Sequence, residues 1–352
     1  MPPPARLAIQ PGPRPASTEA SDWGWHSSWL WRGQECHWRV LGDRDAPPLV
    51  LVHGFGAGSG HWRHNAAALA AGGWCVYGLD LIGFGASDQP GHKRRQPLDN
   101  RLWARQLQGF LEQVVGSPAV LVGHSLGGLV SLSCACFFPS WVQAVVACPL
   151  PDPTLVMARG DSGRASRGHP AVAPRRRPWR RRLQRAMVIL LCRLLPLELI
   201  VPLLAHSPLL ALGLQSAYLR PVLGDDDLLR VIARPARRPG AVRSLRAMSI
   251  AMALRPHGAT AVALLRRLER PLLLLWGRQD RLVPLEVARL CLRLRADLPL
   301  EVLDGAGHCP HDEIPEAFNG VVLGWLQLQQ RERQCSAGGS KPQPQSAVRP
   351  EA

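Results

Sequence analysis

Lysine is nearly missing from this sequence: Lys93 and Lys341 are the only two, so almost all the basic charge is arginine. A GC-rich coding bias, which the 33 prolines and 33 glycines also suggest, accounts for that choice without a functional demand. No two of the nine cysteines stand at the C-x-x-C spacing of zinc or dithiol redox sites, and their number is odd, so they are read as reduced thiols in a cytosol-like compartment. Met1 to Ser21 is rich in Pro and Ala and lacks the apolar stretch of a secretory signal; a flexible leader is expected there. No internal repeat appears. Charged residues make up only 19% of the 352 residues against 46% apolar, which excludes a wholly disordered chain and a disulfide-stapled miniprotein.

What is present is unevenly placed. The formal net charge is +16, and the whole excess lies between Arg159 and Arg270, where 22 arginines face six acids. Outside that stretch the sequence alternates between short apolar runs and helical patterns. The segments 28–33 and 36–42 predict a tryptophan-rich hairpin turning at Arg32-Gly33-Gln34-Glu35, its aromatics packed on the core. A wholly apolar run at 48–52 and largely apolar runs at 74–80, 119–123, 142–147, 272–277 and 300–303 predict strands of a parallel sheet, with helical stretches at 61–71 and 102–115 between them. This is an α/β pattern: a mostly parallel sheet covered on both faces, of the eight-stranded kind.

The stretch from about Pro149 to Thr260 breaks the rhythm, with an arginine run at Arg175–Arg182 followed by apolar sequence from Met187 to Leu214. It reads as an inserted helical cap. The uncharged run Leu199–Leu219 reaches the roughly 20 residues a membrane span requires, but Pro202, His206, Ser207, Pro208 and Gln215 interrupt it. Buried cap helices are therefore expected, and a cap lying in a membrane interface is left open. The organisation predicted is a disordered leader over 1–24, core over 25–149, basic cap over 150–261, core again over 262–331, and a disordered tail over 332–352.

Chemistry concentrates at the ends of the predicted strands. Gly123-His124-Ser125-Leu126-Gly127 fits G-x-S-x-G between an apolar strand and a helical stretch, where glycines permit the sharp bend that exposes a nucleophilic serine. The backbone N–H groups of Leu126 and of Phe55, in His53-Gly54-Phe55-Gly56, are the expected oxyanion donors. His53, Gly54, Gly56, Gly123, His124 and Gly127 are assigned to supporting loop geometry. A base must take the serine proton. His308, in the loop after the last strand, is assigned that role, with His311 its polar neighbour. Asp280, after the run 272–277, is the expected acid, and Asp152 is the alternative. Asp80 and Asp88 are read as loop-fixing acceptors.

With these residues assembled, the sequence resembles the α/β-hydrolase superfamily over roughly Trp29 to Leu326, apart from the insert. The His-Gly-Phe-Gly block, Asp-Leu-Ile-Gly-Phe-Gly-Ala-Ser-Asp at 80–88 and Gly-His-Cys-Pro-His-Asp-Glu-Ile-Pro-Glu at 307–316 look like its cyanobacterial and plastid branch, which includes pheophytinase and chlorophyll dephytylase. The resemblance implies a serine hydrolase of bulky lipophilic carboxylic esters, with phytylated tetrapyrroles among the candidates. Carbon–carbon bond hydrolases and general carboxylesterases also use serine and stay open, as does a non-catalytic binding protein of this fold. Branches that attack with an aspartate at the bend are disfavoured. No cofactor or metal is expected, since an oxyanion hole and triad stabilise charge without one. A small lipophilic ester is the expected partner, together with peripheral contact to an anionic membrane through Arg175–Arg182 and the apolar cap. Nucleic acid is not, because no recognised module accompanies the arginines. The expected location is cytoplasmic, at most peripheral to a membrane.

Overall fold

Side-chain alternation along wholly apolar strands forces helices onto both faces of the sheet, and the computed structural model has that arrangement. It describes residues 19–91, 96–157, 186–187, 189–191, 194–205 and 209–338. The eight strands are β1 (Trp25–Trp31), β2 (Gln34–Leu41), β3 (Pro48–Val52), β4 (Cys75–Leu79), β5 (Ala119–His124), β6 (Val142–Cys148), β7 (Leu272–Gly277) and β8 (Leu300–Leu303). Their order in the single sheet is β1-β2-β4-β3-β5-β6-β7-β8. The β1/β2 and β2/β4 pairs are antiparallel and all later pairs parallel.

Central strand β3 has Leu49, Val50, Leu51 and Val52 fully buried. Val50 and Val52 join one core cluster with the helices Asn100–Phe110 and Leu126–Phe137, while Leu49 and Leu51 pack on the other face with the helix Ala66–Ala71 and the C-terminal helix. Four tryptophans of the N-terminal region, Trp23, Trp29, Trp31 and Trp38, are buried. The first hairpin differs from expectation in register. Trp31 pairs with Gln34, so the loop is only Arg32-Gly33. Both residues have positive φ, 51° and 73°, as a two-residue loop matching the strand twist demands.

Three further expectations shift. The ordered chain begins before Trp25: Trp23 is buried and the Ser21 amide donates to Asp227 at 3.0 Å, so residues 19–24 do not belong to a disordered leader. The last helix runs Pro315–Gly338, beyond the boundary expected at 331, because a helix already docked by Phe318, Val322 and Leu326 propagates at little cost through 332–337, which hold no Gly or Pro. Between β6 and β7 lies an insert with helices Leu197–Ala205, Leu209–Gln215, Asp226–Ala236 and Ala241–Ala253. Its first two were expected to be buried. Instead Leu199, Leu203 and Leu212 are 73%, 61% and 70% exposed, since helices apolar on nearly every side are packed on only one. The arginine run Arg175–Arg182 lies outside the described residues.

Candidate active site

The bend after β5 is dictated by its glycines. A methyl in place of an α-hydrogen of Gly127 would sit 2.0 Å from the Val52 carbonyl oxygen, and one on Gly123 2.3 Å from that of Gly127. Only glycine lets β5, β3 and the helix Leu126–Phe137 approach so closely. Ser125 turns the corner at φ 51°, ψ −117°, a conformation that costs a non-glycine residue about 1–3 kcal/mol. Its amide donates to the Cys148 carbonyl at 2.9 Å, tying the bend to the end of β6.

His308 comes to this bend from the loop after β8, and Asp280 from the loop after β7. The Nε2 of His308 lies 3.0 Å from Ser125 Oγ, and its Nδ1 lies 2.9 Å from Asp280 Oδ2. The other carboxylate oxygen of Asp280 accepts from the amides of Leu282 and Val283, both at 2.8 Å. A carboxylate so held can only accept, so Nδ1 carries the proton and Nε2 presents its lone pair to the hydroxyl. Such a hydroxyl can pass its proton to the ring as it attacks an electrophilic carbon. The sequence-assigned residues Ser125, His308 and Asp280 are therefore brought together. Asp152 is not among them. Its Oδ1 takes Arg255 at 2.8 Å and the Thr154 amide at 2.9 Å, and its Oδ2 takes the Ala261 amide at 2.7 Å, so it pins the start of the helix Ala261–Arg267. The alternative acid is thus committed to the join between insert and core.

Leu126 opens its helix, where the amide has no partner within the helix. The Phe55 loop follows β3 and lies against the bend: a methyl on Gly54 would meet His124 Nδ1 at 2.6 Å and Ser125 Cβ at 3.3 Å. Gly56 needs its φ of 75° for the turn. His53 donates from Nδ1 to the Gly54 carbonyl at 2.7 Å and accepts at Nε2 from the Leu81 amide at 3.0 Å, which fixes it neutral, and burial lowers its pKa in the same direction. Asp80 accepts from the amides of Ser59 and Ala86 and from His37. Burial opposes its charge, yet these bonds hold its carboxyl well below the usual range. Asp88 accepts from the Glu35 amide at 2.9 Å. Both act as the loop-fixing acceptors expected.

A clamp around His308 has no local signature in the sequence. Glu313 accepts from the Gly307 amide at 2.7 Å through one oxygen, and from the Leu219 and Arg220 amides at 2.5 and 3.1 Å through the other. The His308 amide donates to the Ala217 carbonyl at 2.8 Å, so residues 217–220 of the insert strap the histidine loop from outside. Arg63 bridges Asp312 at 2.8 Å and Asp225 at 2.5 Å, joining core to insert. The spacing of these partners along the chain left no local pattern to read.

Behind His308 lies a cluster of buried histidines, His61, His124 and His311, offering one ring nitrogen each within 4.8 Å of the others. Among the described residues these are the side chains with the donor set to hold a metal ion. His124 donates from Nε2 to the His308 carbonyl at 3.0 Å, and His61 from Nε2 to Tyr218 Oη at 2.8 Å, while Tyr218 donates to Asp312 at 3.0 Å. Burial pushes His61 down to about 4 and drives His124 and His311 well below the usual value, with mutual repulsion adding to it, so all three are neutral near pH 7. Of the three, His124 supports the backbone of His308.

An apolar cavity of about 240 Å³ is lined on the core side by Phe55, Gly56, Gly83 and Phe84. Val201, Leu204, Leu210 and Leu245 of the insert help to line it, so it opens between insert and core.

Residues 49–321 match the alpha/beta hydrolase family, and the chain belongs to that family. It is similar to a chloroplastic pheophytinase of Arabidopsis thaliana, 25% identical over 331 residues, spanning 86% of this chain and 66% of the relative. It is also similar to epoxide hydrolase 4 of Mus musculus, 23% identical over 308 residues, covering 85% of this chain and 78% of that one. Among solved structures, a putative aryl esterase from Burkholderia cenocepacia aligns with TM-score 0.62 at 21% identity, over 87% of this chain and 99% of its own.

Proposed function

We propose that this hydrolase is a serine esterase that cleaves a bulky lipophilic carboxylic ester through an acyl-enzyme. The observation that carries the reading is the continuous relay from Ser125 Oγ through His308 to Asp280, at 3.0 and 2.9 Å. In the first half-reaction Ser125 Oγ attacks the ester carbonyl carbon while its proton moves to His308 Nε2. The amides of Phe55 and Leu126 donate to the oxygen that becomes negative. Collapse of the tetrahedral adduct breaks the bond to the alcohol oxygen, which leaves with the proton from Nε2. In the second, water attacks the acyl carbon, gives its proton to His308, and Ser125 recovers it as the acid departs. Asp280 keeps the ring in the working tautomer throughout.

A serine at the bend separates this chain from branches that attack through a carboxylate. The apolar cavity beside Phe55 favours a long or polycyclic apolar group on the substrate, and the similarity to a pheophytinase favours a phytylated tetrapyrrole among such esters. The test is turnover of a 4-nitrophenyl ester series from short to long chains, with pheophytin a and chlorophyll a included and Ser125→Ala as control. Turnover rising with chain length and vanishing in Ser125→Ala supports the reading; hydrolysis of short chains alone refutes the lipophilic substrate, and undiminished activity in Ser125→Ala refutes the mechanism.

A further inference from the structure

The two short helices of the insert that cover the cavity have a second side. On Leu197–Ala205 the residues Val201, Leu204 and Ala205 line the cavity, while Leu199 and Leu203 point away and are 73% and 61% exposed. On Leu209–Gln215, Leu210 lines it and Leu212 is 70% exposed. Leu194, just before them, is 68% exposed. We propose that this outer face docks into the interface of an anionic lipid bilayer, so that the esterase draws a long-chain amphiphilic ester from the lipid into the cavity behind it. This rests on the esterase reading above for the chemistry, though not for the docking.

A bilayer fits this face better than other occupants. At 1.5 Å per residue, helices of nine and seven residues reach about 14 and 11 Å, far short of the roughly 30 Å hydrocarbon core, so they suit lying in the surface. No single helix among the described residues is long and apolar enough to cross a membrane; Leu197–Ala205 and Leu209–Gln215 together reach the length and apolarity of a span, but they are bent by 95° at the break between them, which suits a surface position. Charge selects the lipid. Between residues 187 and 219 the only acid is Glu198, and Arg246 binds it at 2.7 Å, so no free carboxylate opposes approach to headgroups. In sequence the stretch 159–270, to which these helices belong, carries 22 arginines against six acids. Arg237 reaches the end of Leu197–Ala205, donating to the Ala205 carbonyl at 2.8 Å. A second copy would bring two such basic segments together, whereas an anionic surface neutralises one. The leucines would then sink below the headgroups while the arginines stay among them.

The experiment is co-sedimentation of the full chain with vesicles of equal parts phosphatidylcholine and phosphatidylglycerol, and with pure phosphatidylcholine. Leu199→Glu and Leu203→Glu are compared with Leu30→Glu, an equally exposed leucine on β1. The expected result is pelleting with anionic vesicles, weakened by salt, reduced at least about tenfold in the two insert variants and unchanged in Leu30→Glu. Turnover of a short soluble ester should be equal in all, while hydrolysis of a long-chain ester held in the vesicles falls with binding. Wild-type protein that stays in the supernatant at low salt, or insert variants that pellet like wild type, would overturn the proposal. So would vesicle-independent self-association abolished by Leu199→Glu, which would make the face an interface between copies. Failure of the esterase reading looks different: vesicle binding persists, but no ester, soluble or lipid-held, is cleaved.

Discussion

Asp280→Asn separates chemistry from fold more sharply than any other change at this site. The Asp280 oxygen facing away from His308 takes two backbone amides at 2.8 Å. An asparagine must keep its single oxygen there, since turning its NH₂ toward two N–H donors would leave all three unsatisfied. The NH₂ therefore faces His308 Nδ1, now 2.9 Å from a donor instead of an acceptor. The ring responds by moving its proton to Nε2, and Nε2–H can no longer receive the proton of Ser125. Loss of the working tautomer in a relay of this kind lowers kcat by about 10⁴, roughly 5 kcal/mol of barrier. Stability loses only one charge-assisted hydrogen bond, about 2 kcal/mol. The assay is kcat for a short 4-nitrophenyl ester beside a urea denaturation curve on the same preparation. Asp280→Asn that folds and retains more than about a tenth of wild-type kcat would refute the tautomer argument.

Other expectations follow from the same geometry. Ser125→Gly and Ser125→Ala should both be inactive, but the glycine variant, free of strain at φ 51°, should be more stable by about 1 kcal/mol in thermal melts. Equal melting would show the bend to be unstrained. Acid should destabilise the fold early: His61 is held at about 4 by burial, against about 6.5 in the unfolded chain. Its contribution is complete above pH 6.5 and is lost as pH falls toward 4, roughly 3 kcal/mol in all, with His124 and His311 acting in the same direction. Denaturation midpoints from pH 8 to pH 5 check this, and a flat profile contradicts it. Glu313→Gln has one acceptor oxygen where the clamp needs two, leaving an amide of the strap or of Gly307 unpaired at about 1–3 kcal/mol. Its kcat should fall about tenfold with the fold retained, and unaltered kcat would remove the clamp from the account.

Local signals made most of the sheet readable. Strand β7 falls at 272–277 as its apolar run predicts, because a parallel strand buried at every position has no polar residue to blur its ends, and β8 falls at the expected 300–303 although Glu301 is exposed. The bend at Ser125 was readable because two glycines and a serine between strand and helix answer a steric demand visible in five letters. Asp280 and His308 were readable from the position of their loops after strands. The clamp was not: Glu313 and Leu219 are 94 residues apart, and nothing in either segment encodes the other. The same holds for Arg63 and Asp225, 162 residues apart. Exposure of the insert leucines was misjudged because composition reports how apolar a helix is, but not how many of its sides find protein to pack against.

The central claim is a serine made nucleophilic by its partners, and covalent labelling tests it directly. Intact-mass spectrometry after exposure to a fluorophosphonate, followed by peptide mapping, should find one adduct per chain on Ser125, absent from Ser125→Ala and slowed by orders of magnitude in His308→Ala. An unlabelled wild-type chain, an adduct on another residue, or labelling of His308→Ala at the wild-type rate would contradict it.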